Sequence, residues 1–463
     1  MRGRLIAGLA AAGIVLGLTT VTRAQQTIRP PRLEIVQFTL PNGLRVVALE
    51  DHSAPIVNVQ VWYHVGSRDE RPGRTGFAHL FEHLMFKGSA NVKPQEHAQR
   101  ISDMGGILNA GTNFDYTFYW ETVPSNGLEQ VLWLESDRMA TLLVDQANLD
   151  SERQVVIEEL RLRVENPPYG RLGQIVFDTA FTKHSYKWMP IGSKADLDAA
   201  TLEDVRAFHD TYYKPNNATI VVVGDFNLAA LKASTSKYFG EIPKGTTAIP
   251  RPAQPEPAQT AERRVTNYDS KTPLPAAILA YHVPGQGDPD TYPLEVASRI
   301  LSGGDSSRLY QRMVYEKQVA LQASGSSFFL EDSGLFFFFA VMNAGKEASV
   351  GEAELVAEID RLKNEPVTAA ELEKAKTTLI AEVATGRLTN QEKADAIGAA
   401  ATVLNNPAYV NEELPRYQSV TAADIQRVAR KYLTVENRSV IYMLPESMRP
   451  AGDKPAAQGG QDR

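Results

Sequence analysis

The sequence contains no cysteine among its 463 residues. This absence excludes thiol catalysis, iron–sulfur clusters and zinc held by cysteine, and it leaves the fold without disulfide bonds. Any metal that the chain binds must therefore use histidine and carboxylate ligands.

An excess of positive charge is also missing. Lys and Arg number 48 and Asp and Glu number 55, which gives a net charge of −7. No basic run interleaved with aromatic residues is present that could follow a phosphate backbone. We therefore expect no nucleic acid partner, and the 43% hydrophobic and 22% charged residues are typical of a soluble globular protein.

Only one apolar run in the sequence is long enough to span a membrane, and it lies at residues 5–21. Arg2 and Arg4 precede it, and the small residues Thr22 and Ala24 follow it. This pattern predicts a signal peptide over residues 1–24, cleaved before Gln25. The mature protein would then be periplasmic or secreted, whereas an uncleaved run would anchor it in a membrane.

A proline-rich segment divides the rest of the chain. Residues 249–259 contain four prolines and little apolar material, which predicts an extended linker over residues 246–262. We expect one domain at residues 32–245, a second at 263–445, and a polar, disordered tail at 446–463.

Strand and helix patterns alternate in the first half, which indicates an α+β fold. Pro41-Asn42-Gly43 predicts a hairpin turn between two of the strands. Strands are predicted at 34–38, 45–49, 57–63, 107–110 and 116–123, and helices at 75–87, 96–104, 125–142, 147–165 and 201–213. In the second half, the apolar run at 335–341 predicts a strand buried on both faces.

The end of the first half recurs at the end of the second. Thr201, Tyr212, Asn217 and the strand at 219–223 reappear 220 residues later, as Thr421, Tyr432, Asn437 and 439–443. In both copies a Thr-x-x-Asp box precedes a helix that runs into an apolar strand. We therefore predict two homologous α/β-sandwich domains, related by internal duplication and facing each other across a cleft.

Two of the eight histidines lie four residues apart, in His79-Leu-Phe-Glu82-His83. Positions i and i+4 lie on one face of a helix, so both imidazoles can reach one cation, with Glu82 beside them. An ordinary amphipathic helix is the alternative explanation. It accounts for the apolar residues but leaves two histidines and a glutamate desolvated without a partner. The other histidines show no such pattern and are interpreted as structural or surface residues.

The predicted helix at 147–165 offers a third ligand. Glu152 and Glu159 are seven residues apart and share a face, whereas Glu158 is rotated by about 100°. We predict Glu159 as the ligand and Glu152 as its supporting neighbour. Geometry alone leaves the choice between Glu158 and Glu159 open.

These residues resemble the signature of the pitrilysin/insulinase metallopeptidases, the inverzincins. In that family, H-x-x-E-H is followed some 75 residues later by a glutamate ligand. Here 75 residues lie between His83 and Glu159. The likeness covers nearly the whole mature chain and is closest to the bacterial two-domain, processing-peptidase-like type. It includes the segments at 76–79, 86–88, 109–112, 184–186, 191–192 and 224–225.

The resemblance implies one zinc ion per chain, held by His79, His83 and Glu159. It implies that Glu82 is the general base that activates a zinc-bound water, and that Glu152 supports the site. It also implies that the strand around Asn109 and Ala110 pairs with the substrate as an added β-strand.

The second half departs from the family pattern. The segment at 303–323 resembles the stretch in which an Arg and a Tyr, seven residues apart, reach the substrate, but Tyr315 and Gln322 stand at those places. We therefore predict the zinc-bearing subunit of a heterodimer whose homologous partner supplies the Arg/Tyr pair. A homodimer that uses other residues, such as Arg308 or Tyr310, is the competing hypothesis.

Together these features predict an exported zinc metalloendopeptidase that acts on peptides or unfolded proteins. The alternative is a non-catalytic assembly or structural subunit of the same fold. The intact set of His79, Glu82, His83 and Glu159 argues against that alternative, because a purely structural protein has no need of all four.

Overall fold

Two β-sheets form the framework of the chain, one on each side of the predicted linker. The computed structural model describes residues 31–251 and 254–452, so the predicted signal peptide and the end of the tail lie outside the described residues. The strands are β1 (Val36–Thr39), β2 (Arg45–Glu50), β3 (Ile56–Tyr63), β4 (Ile107–Thr112), β5 (Thr117–Pro124), β6 (Ala218–Gly224), β7 (Arg263–Asp269), β8 (Ala276–Pro284), β9 (Ala320–Phe329), β10 (Ser333–Met342) and β11 (Arg438–Pro445).

Helices connect these strands and cover the sheets. The first half contains α1 (Phe77–Leu84), α2 (Glu96–Asp103), α3 (Leu128–Thr141), α4 (Gln146–Leu160), α5 (Leu172–Ala180), α6 (Lys194–Asp198), α7 (Leu202–Tyr212) and α8 (Leu228–Phe239). The second half contains α9 (Thr291–Ser302), α10 (Ala348–Asn364), α11 (Ala369–Thr385), α12 (Asn390–Val403), α13 (Glu413–Ser419) and α14 (Ala422–Tyr432). Two π-helical segments, Arg161–Glu165 and Tyr310–Glu316, complete the longer helical elements.

The first sheet has the strand order β1-β2-β6-β3-β5-β4. The predicted hairpin is confirmed, because β1 and β2 pair antiparallel and Gly43 takes the positive φ of 91° that the turn requires. The strands and helices predicted for this half are also confirmed, with small shifts at their ends. The predicted helix at 147–165 is α-helical only to Leu160 and then continues as the π-helical segment.

The second sheet, β7-β11-β8-β10-β9, repeats the pairing of the first without its β1 strand. In both sheets the strand after the repeated helix pairs parallel with one neighbour and antiparallel with the other. Asn217 donates from Nδ2 to the carbonyls of Tyr212 and His64, and Asn437 does the same toward Tyr432 and His282. The predicted α+β fold with an internal duplication is therefore confirmed.

One helix from each half packs against the sheet of the other half. Phe177 on α5 packs in a buried cluster with Ile278 on β8 and Ile441 on β11. Reciprocally, Ile397 on α12 packs with Val221 on β6. The two halves thus meet through two shared hydrophobic cores, and both faces of each sheet are covered.

Buried ion pairs add to this junction. Arg68, 1% exposed, lies 2.9 Å from Glu331 and 3.2 Å from Asp332, two residues between β9 and β10 in the second half. The linker is also held in place, because Arg251 donates to the carbonyl of His64 and Glu256 accepts from three successive backbone amides at residues 182–184.

At the start of the tail that we predicted to be disordered, Glu446–Met448 form a 3₁₀ turn instead. Arg449 stabilises this turn, because its guanidinium pairs with Glu446 at 2.7 Å and lies over the ring of Tyr268. Within residues 31–251 and 254–452, no helix has the length and apolar character needed to cross a membrane.

Candidate active site

Helix α1 carries His79, Glu82 and His83, and a buried carboxylate, that of Glu70, fixes its start. Glu70 accepts hydrogen bonds from the backbone amides of Gly76 and Ala78, so it caps the first turn. Burial raises the pKa of Glu70 well above its ordinary value, and the two amide donors partly offset that shift.

One face of α1 belongs to the core. Phe77, Leu80, Phe81 and Leu84 are buried there, as the amphipathic pattern required. The two histidines and Glu82 lie on the remaining face and are only partly buried. The amphipathic explanation and the ligand explanation therefore describe two faces of the same helix.

The structure brings the three predicted ligands together. Nε2 of His79 lies 3.6 Å and Nε2 of His83 lies 3.4 Å from Oε2 of Glu159. One ligand atom of each residue lies within 4.8 Å of the other two. Two imidazoles and one carboxylate, with the fourth direction left to water, are a donor set that catalytic zinc sites use, so these residues fit that metal.

Glu158, the competing candidate, faces away from the histidines. Its side chain is 51% exposed and pairs with Arg161 at 2.8 Å. Glu159 is 18% exposed, and its second oxygen, Oε1, lies 3.0 Å from Arg163. The sequence could have indicated Arg163 through its i+4 spacing from Glu159.

Glu152 lies beside the cluster, two helical turns before Glu159 on α4. Its Oε2 is 3.2 Å from Nδ1 of His83, and its Oε1 is 2.6 Å from Nζ of Lys87. Burial alone would raise the pKa of Glu152, but these two partners outweigh it, so the pKa lies below its ordinary value. Burial alone would lower the pKa of His83. The hydrogen bond to Glu152 and the nearby carboxylates outweigh it, so the pKa of His83 is raised. Lys87 is a member of the site that the sequence pattern did not indicate.

Glu82 points to the same space and accepts a hydrogen bond of 2.6 Å from Oγ1 of Thr112. Burial raises the pKa of Glu82, and this hydrogen bond works against the shift. Thr112 ends β4. The family resemblance includes it in the segment at 109–112, but the sequence alone assigns it no role, since a single threonine carries no spacing signal.

Asn109 and Ala110 lie on β4, which is the last strand of its sheet and pairs only with β5 among the described strands. Both residues line a groove of about 620 Å³ together with the ligand cluster. All of the residues that line this groove belong to the first half, between His79 and Arg163.

A second group with metal-ligand chemistry lies in the core behind the site. His97, Glu121 and Glu135 are all buried and close enough to share a cation. Arg138 already provides the positive charge, because it donates from Nε to Glu135 at 2.9 Å and lies 3.4 Å from Glu121. We interpret this group as a buried ion-pair network.

In the second half, Tyr315 and Gln322 lie at the positions where an Arg and a Tyr were expected. The side chain of Tyr315 is 70% exposed, and Gln322 is exposed on β9, an edge strand of the second sheet. Arg308, proposed for a homodimer, is 8% exposed and forms two hydrogen bonds with Glu371. Tyr310 is partly buried at the start of a π-helical segment.

Comparison with known families gives two matches along the chain. The family described as Insulinase (Peptidase family M16) matches residues 45–187. The family described as Peptidase M16 inactive domain matches residues 199–379. The candidate ligands all lie within the first matched segment.

Individual relatives agree with these matches. The chain is 34% identical to the zinc protease PqqE of Helicobacter pylori, over 88% of this chain and 92% of that protein. It is 27% identical to a probable mitochondrial-processing peptidase subunit beta of Arabidopsis thaliana, over 85% of this chain and 75% of that protein. A crystal structure of a protease from Helicobacter pylori superimposes with a TM-score of 0.86 at 33% identity, covering 89% of this chain and 100% of that one.

Proposed function

The chain belongs to the insulinase family of peptidases, M16, and from that premise we propose that it is an exported zinc metalloendopeptidase that hydrolyses peptides or unfolded proteins. The observation that carries the proposal is the cluster of His79, His83 and Glu159, whose ligand atoms lie within 4.8 Å of one another. Export is proposed from the apolar run at residues 5–21 and the arginines before it.

In this proposal His79, His83 and Glu159 hold the zinc ion, one per chain. When bound, zinc supplies a Lewis acid that lowers the pKa of a water molecule and polarises a peptide carbonyl. Glu152 orients His83: a carboxylate only accepts, so Nδ1 of His83 would carry the proton and the lone pair of Nε2 would be available to the metal.

Glu82 moves the proton. Thr112 donates to its Oε2, which fixes the carboxylate and leaves Oε1 free to take a proton from the attacking water. The same oxygen then returns that proton to the nitrogen of the leaving amine. No covalent bond to the chain forms, because the nucleophile in this proposal is a water molecule activated by Glu82.

The substrate is proposed to add to the first sheet as a strand along β4. That strand has a free edge among the described residues, and Asn109 and Ala110 place its backbone along the groove that holds the ligand cluster. Backbone hydrogen bonds along the edge would give affinity for extended or unfolded chains with little dependence on sequence.

A second chain is proposed to complete the site. The groove is lined only by residues of the first half, and Tyr315 and Gln322 replace the Arg/Tyr pair that the family resemblance leads us to expect. The name of the Arabidopsis relative describes that protein as a subunit. We therefore favour a heterodimer with a homologous subunit over a homodimer, because Arg308 is engaged by Glu371.

A non-catalytic assembly subunit is the alternative. The match to an inactive domain covers residues 199–379, whereas every candidate ligand and Glu82 lie in the segment at 45–187. This distribution supports a catalytic first half joined to a non-catalytic second half.

The test combines metal analysis with proteolysis. Protein purified without added metal is analysed for zinc, and casein hydrolysis is measured before and after chelation and after zinc is returned, with and without a co-expressed homologous subunit. We expect zinc-dependent cleavage. Stoichiometric zinc without cleavage under any of these conditions would favour the non-catalytic alternative. N-terminal mass analysis of the exported protein tests cleavage before Gln25.

A further inference from the structure

A second pocket, of about 280 Å³, opens beside the ligand cluster, between α5 and the loop at residues 189–192. It shares His79, Thr112, Glu159 and Arg163 with the groove along β4. A peptide bound across the ligand cluster therefore has this pocket next to the bond under attack.

The walls of this side pocket are apolar. Leu160, Val164, Met189, Pro190 and Ile191 contribute to its lining. Transfer of an apolar side chain from water to such walls is favourable, because it removes apolar surface from water.

The charged groups at the side pocket lie at its edge, where the side chain of Arg163 is 76% exposed. The charged lining residues are Glu159 and Arg163, which pair with each other at 3.0 Å. A charged side chain inside the pocket would give up its hydration against the apolar walls, which cannot pair with its charge. The chemistry of the pocket therefore favours an uncharged apolar guest.

The size of the side pocket suits a side chain rather than a whole small-molecule ligand. Its volume is below the roughly 300–1,000 Å³ of sites that hold whole small-molecule ligands. Gly173, near the start of α5, lines this space, and a Cβ there would meet only Met189, at 3.5 Å from its Cε, so a larger side chain at this position would extend into the pocket. Gly170 and Gly192 serve a different purpose, because a Cβ at either would come within 2.4 Å of backbone atoms.

We propose that this pocket selects one uncharged apolar side chain of the substrate, of the size of Leu, Ile, Met or Phe, at one of the two residues that flank the cleaved bond. Gly173 is the residue that sets the size limit. The inference rests on the proposed peptidase function and adds a specificity to it.

Binding tests the pocket without turnover. Zinc-loaded Glu82→Gln protein is titrated with fluorescein-labelled 12-residue Ala/Ser/Gly peptides that carry a single central Leu or Asp. The Leu peptide is expected to bind about tenfold more tightly, as a filled apolar pocket typically discriminates. Adding Gly173→Leu should abolish the difference, whereas Met189→Ala should extend the preference to a Trp peptide. Gly173→Ala should be intermediate.

Cleavage gives an independent readout. Sites cut in a tryptic digest of casein are mapped by mass spectrometry for the wild-type chain, with its homologous subunit where that is needed, and for two pocket variants, Gly173→Leu and Met189→Ala. Leu, Ile, Met and Phe should be enriched at one flanking position, and Gly173→Leu should move that position toward Gly and Ala. Thr377→Leu, on the exposed face of α11, controls for added apolar bulk.

The two pocket variants change the volume in opposite directions, so misfolding of one leaves the other to decide. Equal binding of the Leu and Asp peptides, or variants that retain zinc yet change no preference, would overturn the inference. Loss of all cleavage by the zinc-loaded wild type would instead count against the proposed peptidase function, while the binding series still tests the pocket.

Discussion

Nδ1 of His83 lies 3.2 Å from Oε2 of Glu152, although the two residues belong to different helices 69 positions apart. The contact holds the imidazole ring so that Nε2 faces Glu159, and it favours the tautomer that carries the proton on Nδ1. Lys87 holds the other oxygen of Glu152 at 2.6 Å. The ligand geometry is thus set by a carboxylate that is not itself among the three proposed ligands.

Replacing Glu152 should weaken zinc binding without abolishing it. Glu152→Gln keeps the shape but removes the charge that orients His83, and such losses typically cost about 10–100-fold in metal affinity. Competition with a fluorescent chelator measures the change. Glu159→Gln should lose more, and Glu158→Gln, at an exposed position on the same helix, should lose nothing measurable. A larger loss in the Glu158 variant would reassign the ligand.

Glu82→Gln should retain zinc and lose nearly all hydrolysis, because the three proposed ligands remain while the base is removed. Thr112→Val deletes the 2.6 Å hydrogen bond to Glu82 and should lower kcat by about 10–100-fold, the usual worth of a hydrogen bond to a charged group. Zinc content and steady-state kinetics are measured on the same samples. Substantial turnover by Glu82→Gln would show that another group is the base.

Much of this site could be predicted because its residues share helix faces. The spacing of His79, Glu82 and His83 fixes their common side on any α-helix, whatever surrounds it. The choice of Glu159 over Glu158 depends on the rotation of α4, which is set by the burial of Leu149, Val156 and Leu160. A single sequence does not reveal which of several faces a helix will bury.

The reciprocal exchange of α5 and α12 could not be predicted either. An apolar periodicity shows that a helix has a face to bury, but it does not name the sheet that covers it. Phe177 and Ile278 are about one hundred positions apart in sequence, and only the tertiary fold joins them. The sequence therefore indicated two halves and a linker, but not the two cores that join the halves.

A substitution at Gly398 tests the packing of α12 against the first sheet. This glycine lies on α12 against Trp62 of the first sheet, and a Cβ there would come within 2.2 Å of the indole ring. Gly398→Ala should therefore destabilise the chain by about 1–3 kcal/mol, although glycine to alanine in a helix normally stabilises. Urea unfolding measures the change. Gly173→Ala on α5, where the added Cβ meets only an ordinary contact, is the matched control.

The Arg308–Glu371 pair should make stability depend on pH. Hydrogen bonds from Arg308 lower the pKa of Glu371 to about 2, below the roughly 4.3 of an unfolded chain. A lowered carboxyl pKa stabilises the fold above the unfolded value, and that contribution is lost as the pH falls from about 4.3 toward 2.

Glu371→Gln should therefore lower the free energy of unfolding by about 1–3 kcal/mol at pH 7, because Arg308 is left buried without a partner of opposite charge. The difference from wild type should shrink between pH 5 and pH 3.5. Urea unfolding at pH 7, 5, 4 and 3.5 measures it, with Glu203→Gln at an exposed position as the control. A difference that stays constant with pH would exclude this pair as the cause.

The purified chain alone should bind zinc yet cleave peptides poorly. The groove that holds the ligand cluster is lined only by residues of the first half. In the second half, Tyr315 and Gln322 are exposed at the positions where the family resemblance predicts an Arg/Tyr pair. The developing oxyanion and the substrate backbone then lack donors from the facing side, and one missing donor typically costs about 10²–10³ in rate. A homologous subunit that supplies the pair should restore this factor, whereas the same subunit with Ala and Phe at those positions should not.

A homodimer would instead give specific activity that rises with chain concentration and no gain from the second subunit. Full activity of a monodisperse monomer, unchanged by any partner, would contradict both assemblies.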